Sequence, residues 1–220
     1  MQFPRGPVTN ALVTINLVIA AILLVPSLWQ YAVVAGGLFP ARLSGDSSAF
    51  ADITFLVPAL LTPLTAAFLH GGIAHFIMNM LMLLLIGKLV ERVLGGGLFL
   101  ALYIVSAYAA AGTEWLAADL QLPMSLDMMA PAIGASGAIS GVIGAYLLLF
   151  PNKQPKRWGP VPAAIARPLH LTLAWIGLNL AMGFVGPGLG IGIAIWSHIG
   201  GFVMGLALAR PLLQWRYRNA

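Results

Sequence analysis

Polar side chains are rare within the long apolar stretches of this sequence, and a few of them are of types that can perform chemistry. Ser136 and Ser140 lie four residues apart in the uncharged segment GASGAISG. His75 and Asn79 are also four residues apart and would share one face of a helix. His198 lies in a separate apolar stretch. A serine beside a histidine can act as a nucleophile activated by a base, and polar groups inside a membrane are costly enough to suggest a function.

The composition indicates where these residues lie. The chain has 220 residues, of which 60% are hydrophobic and 8% charged. Soluble domains carry roughly 25% charged residues, so the composition predicts an all-α, multi-span protein of the lipid bilayer. The absence of cysteine excludes disulfides, thiolate metal sites and a cysteine nucleophile. Neither zinc-ligand spacing nor a phosphate-binding glycine loop nor a basic–aromatic run is present, so we expect no cofactor and no nucleic-acid partner.

The apolar runs predict a single integral membrane domain over 1–220, built as a six-helix bundle. A spanning helix needs roughly 20 apolar residues. The predicted helices cover approximately 11–29, 70–90, 97–117, 137–150, 169–185 and 190–209. The stretch 53–69 is also apolar, but Pro58 and Pro63 interrupt it, so we interpret it as a loop or half-buried segment.

The distribution of charge supports this arrangement and orients it. With both termini in the cytoplasm and six helices alternating, ten of the eleven basic residues fall on the cytoplasmic side, as the positive-inside rule expects. These ten are Arg5, Lys88, Arg92, Lys153, Lys156, Arg157, Arg167, Arg210, Arg216 and Arg218. Arg42 falls outside, together with Asp46, Asp52, Glu114, Asp119 and Asp127, whereas Glu91 falls inside. A seventh span at 53–69 would invert every later loop.

Three of the polar side chains are predicted to lie at one depth. At 1.5 Å of rise per residue, His198 lies about 18 Å above the cytoplasmic boundary, Ser136 about 22 Å and His75 about 20 Å. The predicted helix at 137–150 spans only about 21 Å, so the chain before Ser136 must dip below the outer surface. Non-helical backbone at that depth is tolerated only inside protein or beside a water-filled cavity. The free N–H groups of the helix start would suit a developing oxyanion.

The glycines of two predicted helices favour a close approach. Gly137 and Gly141 on one helix, and Gly201 and Gly205 on another, follow the small-xxx-small pattern that lets helix backbones come together. This pattern alone indicates only helix packing. Combined with a serine and a histidine at one depth, it favours a packing that brings Ser136 within hydrogen-bond reach of His198.

A third catalytic partner and a metal ion are not expected. We expect no carboxylate at the right depth, and we interpret Asp127 as a solvated loop residue, so a Ser–His dyad is predicted. His70 and His75 are five residues apart, off the i, i+4 face of metal-binding histidine pairs, and His70 is expected to order the first loop. Asn179 and Ser197 are two further polar residues within the predicted spans.

The segments HGGIAHFIMN, GASGAISG and HIGGFVMG resemble, in order, the HxxxxHxxxN, GxSG and HxxGxxxG motifs of rhomboid intramembrane serine proteases. The resemblance covers roughly 68–210. It implies that Ser136 is the nucleophile and His198 the base, with His75, Asn79 and the Ser136 N–H forming the oxyanion hole. The supporting motif positions are Gly134, Gly137, Gly201, Gly205 and His70. The implied activity is cleavage of transmembrane protein substrates near the extracytoplasmic face, and the implied location is a bacterial cytoplasmic membrane.

The sequence departs from the family at two places. Family members often carry a Trp-Arg pair in the first loop, which here covers about 30–69. This chain has Leu61 and Thr62 at those positions, so we expect that loop to be anchored differently. Some members have an aromatic residue four positions after the nucleophile, where this chain has Ser140, which we interpret as a small packing residue.

Two other functions are compatible with a helical membrane protein. One is a catalytically inactive rhomboid-like scaffold that binds transmembrane helices, although such proteins usually lack the serine or the histidine. The other is a small transporter with a histidine proton relay, which predicts repeat symmetry and acidic midplane residues that the sequence does not contain. The sequence names neither the substrate nor the oligomeric state.

Overall fold

The computed structural model describes residues 5–150, 158–185 and 192–218. Within these ranges the chain is helical, and its β-type pairing is limited to the isolated bridges between Leu38 and Ala132 and between Trp158 and Val161. The main helices are α1 (Pro7–Ile22), α2 (Pro26–Gly36), α3 (Ile73–Leu94), α4 (Gly96–Asp119), α5 (Ser136–Leu149), α6 (Ala163–Val185) and α7 (Ile195–Arg216). Helix α3 contains a π-helical turn at Leu83–Gly87.

Three of the described helices, α3, α4 and α6, are long and apolar enough to cross a membrane. Helices α1 and α5 are apolar but shorter. The all-helical architecture confirms the predicted class, an integral membrane helical bundle, and α5 has 14 residues, close to the short helix predicted at 137–150.

The first predicted helix is wrong in its extent. The apolar run at 11–29 was expected to form one helix, but α1 starts earlier and ends at Ile22, and α2 begins at Pro26. Proline lacks an N–H group and clashes with the preceding turn, so it is tolerated at the first position of a helix and not in its interior. Hydropathy continues across the break, whereas the helix does not.

The stretch at 53–69 forms no long helix, as Pro58 and Pro63 predicted. It contains three short helical turns, at Ala59–Leu61, Thr62–Thr65 and Ala66–Phe68. Shorter turns at Pro40–Leu43 and Ser48–Phe50 precede it in the same long loop.

The core of the bundle is the contact between α5 and α7, which α4 covers. A side chain at Gly201 would overlap the carbonyl oxygen of Gly137, and one at Gly205 would overlap that of Gly141. Because both obstacles are backbone atoms, only glycine allows the two helices to lie this close. Fully buried Phe99 and Leu102 of α4 belong to the surrounding apolar cluster.

A buried carboxylate fastens α1 to the end of α3. Glu91 is 3% exposed and accepts hydrogen bonds from the backbone N–H groups of Val8 and Thr9, at 2.9 and 2.8 Å, and from the Thr9 hydroxyl at 2.7 Å. These N–H groups belong to the first turn of α1, which has no carbonyl partners inside its own helix. The carboxylate therefore caps α1 from another segment of the chain.

The α5–α7 contact predicts an unequal response to two glycine substitutions. Gly205→Ala should lower the free energy of unfolding by about 1–3 kcal/mol, because the backbones must separate to admit the methyl group. Gly112→Ala in α4 is the matched control, since beyond its chain neighbours and its own helix backbone no described atom lies within 4 Å of a Cβ placed there. It should leave the melting temperature in detergent unchanged or slightly raise it, because alanine favours helix. Equal melting temperatures of the two variants would contradict the close approach.

Candidate active site

Ser136 and His198 lie side by side at the starts of α5 and α7. The Ser136 hydroxyl oxygen is 2.8 Å from Nε2 of His198, which is hydrogen-bond distance. Both side chains are half-buried. Ser136 is the first residue of α5, so its own N–H group has no carbonyl partner within the helix. A hydroxyl, an imidazole and an open backbone donor thus meet at one point.

The chain before Ser136 is held in place by the first loop. Leu38 and Ala132 exchange two backbone hydrogen bonds of 3.3 and 2.8 Å, and the Gly134 N–H donates to the carbonyl of Ala66 at 2.9 Å. Gly134 has φ +113°, which residues with a side chain rarely adopt. Polar groups of this irregular backbone therefore form hydrogen bonds with other parts of the protein. Glycine at 134 permits the turn that starts α5.

His75 lies directly against this turn. A Cβ at Gly134 would be 2.7 Å from both Cε1 and Nε2 of the His75 ring. The Gly71 N–H donates to Nδ1 of His75 at 3.3 Å, so Nδ1 is the acceptor and Nε2 carries the proton of the neutral ring. The donor edge of the imidazole therefore faces the GASGAISG segment.

Asn79 lies one turn further along α3 and is 6% exposed. Its amide nitrogen donates to the His75 carbonyl at 2.9 Å, which uses one of its two protons. The second N–H remains available to an acceptor near the site.

The second ring nitrogen of His198 has a partner that sequence reasoning missed. Nδ1 of His198 is 2.9 Å from the side-chain oxygen of Asn179 on α6, which is 2% exposed. Asn179 was recognised in the sequence as a polar residue of a span, but its helix gave no spacing relation to His198. Only the packing of α6 on α7 brings the two together.

A carboxylate also lies close to the site, contrary to the expectation that none would. Glu114, predicted on the extracytoplasmic side, lies near the end of α4 and is fully buried. Its two oxygens accept from the N–H groups of Leu126 and Ser197 at 3.0 and 2.8 Å. It therefore caps the start of α7, next to His198, and binds backbone there. Asp127 is exposed, as expected.

Ser140 is buried one turn below Ser136. Its hydroxyl donates to the carbonyl of Ser136 at 2.7 Å, a common bond of serine to the preceding helical turn. The Ser140 hydroxyl thus has its hydrogen-bond partner within α5. A small side chain at this position also leaves room for the approach of α7.

His70 links the first loop to the site. Its carbonyl accepts a hydrogen bond from the indole N–H of Trp29 at 2.9 Å, and its ring packs edge-on against His75 with the centroids 5.3 Å apart. Burial, with a contribution from neighbouring His75, lowers the pKa of His70 to about 4. His70 is therefore neutral in the folded protein at physiological pH.

Arg42 anchors the first loop through its guanidinium group. Its guanidinium donates to the carbonyls of Ala35 and Val57 and lies over the Phe50 ring, 5.4 Å from the centroid. Arg42 itself is only 3% exposed. Of the two positions aligned with the family's Trp-Arg pair, Leu61 is 48% exposed and Thr62 is buried.

A cavity of about 40 Å³ opens beside Ser136. Small residues dominate its lining, among them Ala67, Ala107, Ala110, Ala111 and Ala132. Over the described ranges, no three histidine, aspartate or glutamate side chains group together in a way that could hold a metal ion.

Comparison with known proteins places these residues in a recognised domain. The family model described as the Rhomboid domain matches residues 58–215. The chain is 34% identical to RHOMBOID-like protein 4 of Arabidopsis thaliana, over 68% of this chain and 33% of that protein. It is 34% identical to Rhomboid protease GluP of Bacillus subtilis, over 69% and 26%, and 30% identical to Rhomboid protein 1, mitochondrial, of Saccharomyces cerevisiae, over 64% and 38%. The chain therefore spans roughly a quarter to two fifths of the length of these relatives.

The environment of His70 predicts a pH-dependent stability. The pKa of His70 is about 4 in the folded protein and 6.5 in the unfolded chain. As the pH falls, the imidazole is therefore protonated in the unfolded chain before it is protonated in the folded protein. The stability that neutral His70 contributes is present above pH 6.5 and is lost as the pH falls towards 4. Between pH 7 and 4.5 the melting temperature of His70→Phe should therefore fall by a few degrees less than that of the wild type. His170→Phe, which replaces an exposed histidine, should follow the wild type. Parallel curves for all three proteins would disprove the assignment.

The contacts of Arg42 predict that the first loop becomes more accessible to proteases when Arg42 loses its guanidinium group. Arg42→Lys should increase the rate of proteolytic cleavage between residues 44 and 58 by about tenfold, because an ammonium cannot donate in the fork geometry that reaches both carbonyls. Arg5→Met, a change at an exposed arginine, serves as the control and should leave this rate unchanged. Mass spectrometry of the fragments locates the cuts. An unchanged rate in Arg42→Lys would show that other contacts hold the loop.

Proposed function

The chain belongs to the rhomboid family, and we propose that it is an intramembrane serine endopeptidase that cleaves transmembrane segments of other proteins by a Ser136–His198 dyad. The observation that carries the proposal is the 2.8 Å contact between the Ser136 hydroxyl and Nε2 of His198. A hydroxyl is a weak nucleophile by itself, and a base at this distance can remove its proton as it attacks. Rhomboid protease GluP, to which the chain is 34% identical, is named as a protease.

The first half of the reaction forms an acyl-enzyme. Nε2 of His198 takes the hydroxyl proton while the Ser136 oxygen bonds to the carbonyl carbon of the scissile peptide. The resulting tetrahedral intermediate collapses, the C–N bond breaks, and the imidazolium returns its proton to the leaving amine. The N-terminal part of the substrate remains as an ester of Ser136.

The second half regenerates the enzyme. His198 removes a proton from a water molecule, whose oxygen attacks the ester carbon. The C–O bond to Ser136 then breaks, and the serine oxygen recovers its proton from His198. No metal or redox cofactor takes part in this sequence of steps.

Three donors around the turn support an oxyanion hole. The N–H of Ser136 is open at the start of α5, the Nε2–H edge of His75 faces the turn at Gly134, and Asn79 retains one amide proton. Fixed donors at the site of developing negative charge stabilise the transition state without reorganisation. All three donors are neutral groups, which suits a site in a membrane.

The cavity supports a preference for small side chains in the substrate. Its volume of about 40 Å³ leaves room for a small group only, and its alanine lining offers no charge to a ligand. We propose that it receives a small residue next to the scissile bond.

The proposed topology has six spans with both termini in the cytoplasm, as the distribution of basic residues favours. It places the catalytic layer near the extracytoplasmic face. We propose the bacterial cytoplasmic membrane as the location, although the relatives include a protein named as mitochondrial.

Activity measurements on the purified protein in liposomes test the proposal directly. Cleavage of a reconstituted transmembrane substrate should fall by at least about 10³-fold in Ser136→Ala and in His198→Ala, because the two residues act as one unit. Ser140→Ala is the matched serine control and should retain cleavage, since its hydroxyl bonds only within α5. Full activity of Ser136→Ala would disprove the proposal.

A fluorophosphonate probe provides an independent measurement, because it labels a serine only where a base activates it. We expect labelling of Ser136 in the wild type and Ser140→Ala proteins, and none in His198→Ala. A folded wild-type protein that binds the substrate but neither cleaves it nor reacts with the probe would be a scaffold for transmembrane helices.

A further inference from the structure

We propose that Asn179 is a positioning residue that holds His198 in the one tautomer able to accept a proton from Ser136. The inference rests on the proposed function, since it assigns a role in the same reaction. It starts from the 2.9 Å contact between Nδ1 of His198 and the side-chain oxygen of Asn179. The two nitrogens of the ring are thus engaged on opposite sides, one by Asn179 and one by Ser136.

The orientation of the Asn179 amide follows from its second contact. Its nitrogen donates to the carbonyl of Trp175 at 2.9 Å, and a carbonyl can only accept. A reversed amide would set two oxygens against each other there. The oxygen of Asn179 therefore faces His198, and it can only accept as well.

The tautomer of His198 follows in turn. A neutral imidazole carries one proton, and the acceptor oxygen of Asn179 requires that proton on Nδ1. Nε2 is then left with its lone pair directed at the Ser136 hydroxyl. The opposite tautomer would direct an N–H at the hydroxyl and would leave two acceptors facing each other at Nδ1. When His198 becomes an imidazolium during the reaction, the amide oxygen also stabilises the charged ring, as an asparagine does in the Cys-His-Asn proteases.

Few residues of helix α6 are buried by the rest of the protein. Of the 23 residues in α6, Ala166 and Asn179 are the buried ones. Trp175 lies one turn before Asn179 on the same face, donates its indole N–H to the His198 carbonyl at 3.2 Å, and stacks on Phe202 with the ring centroids 4.8 Å apart. Trp175 and Asn179 therefore hold the backbone and the ring of His198 from one helix.

Asn179→Leu tests the proposal with a side chain of similar size that cannot accept a hydrogen bond. The rate of Ser136 labelling by the fluorophosphonate and kcat for the substrate should each fall about 10- to 100-fold, with KM within twofold of the wild type. Asn179→Asp, which keeps an acceptor oxygen, should retain most of the labelling rate. Asn179→Ala provides a second loss of the acceptor if the leucine variant fails to fold.

Asn16→Leu is the matched control for this substitution. Asn16 is fully buried on α1, and its amide nitrogen donates to the Leu12 carbonyl one turn earlier at 2.9 Å, as Asn179 does to Trp175. The two variants thus lose the same local bond, but only Asn179→Leu changes the surroundings of His198. We expect the labelling rate of Asn16→Leu to equal that of the wild type.

Nitrogen-15 NMR of labelled histidine measures the tautomer without any catalysis. The His198 signal, assigned by its loss in His198→Gln, should show protonated Nδ1 and unprotonated Nε2 in the wild type and in Asn16→Leu, and a loss of this pattern in Asn179→Leu. A wild-type ring protonated on Nε2, or an unchanged pattern and labelling rate in Asn179→Leu, would overturn the proposal. Failure of the proposed function would appear differently, as a correct tautomer in a protein that does not cleave.

Discussion

The approach of α5 to α7 is the constraint on which the rest of the structure depends. The carbonyl oxygens of Gly137 and Gly141 occupy the space that side chains at Gly201 and Gly205 would fill. Helices at this distance gain dispersion contacts along their backbones, the principal attraction available where lipid tails are as apolar as the side chains. The 2.8 Å contact between Ser136 and His198 lies where α5 and α7 both begin, at one end of the line of contact between them. The site is therefore a consequence of the packing.

Buried polar groups extend the constraint to the peripheral segments. Glu91 caps α1 from α3, Glu114 caps α7 from α4, and Arg42 binds the carbonyls of Ala35 and Val57. A charged or polar group removed from water is costly unless it is hydrogen-bonded, and each of these binds backbone groups that helix ends and loops leave open. Such contacts connect segments up to 83 residues apart and fix where each helix starts.

Several features of the fold and site could be read from particular residues. Pro58 and Pro63 excluded a long helix at 53–69, and the four glycines of the small-xxx-small patterns indicated the seam between α5 and α7. Two omissions share one cause. The burial of Glu114 and the contact of Asn179 with His198 each depend on which neighbour a residue meets, and hydropathy averaged along the chain contains no such information. A glutamate near a helix end and an asparagine on a largely exposed helix each have an ordinary local interpretation. The break before Pro26 has a local cause, because proline does not fit a helix interior, and the continuous hydropathy of the run at 11–29 concealed it.

The sequence by itself determined the class of protein, the family, and the residues that could perform chemistry, because these depend on composition and on spacing along single helices. The tertiary structure alone decided what those residues do for one another. It set the direction of the His198 ring through Asn179, the donor edge of His75 through Gly71, and the anchoring of the first loop through Arg42. The physical reason is that a hydrogen bond depends on the relative position of two groups to within a few tenths of an ångström. Spacing along a chain defines such positions within one helix, whereas only packing defines them between helices.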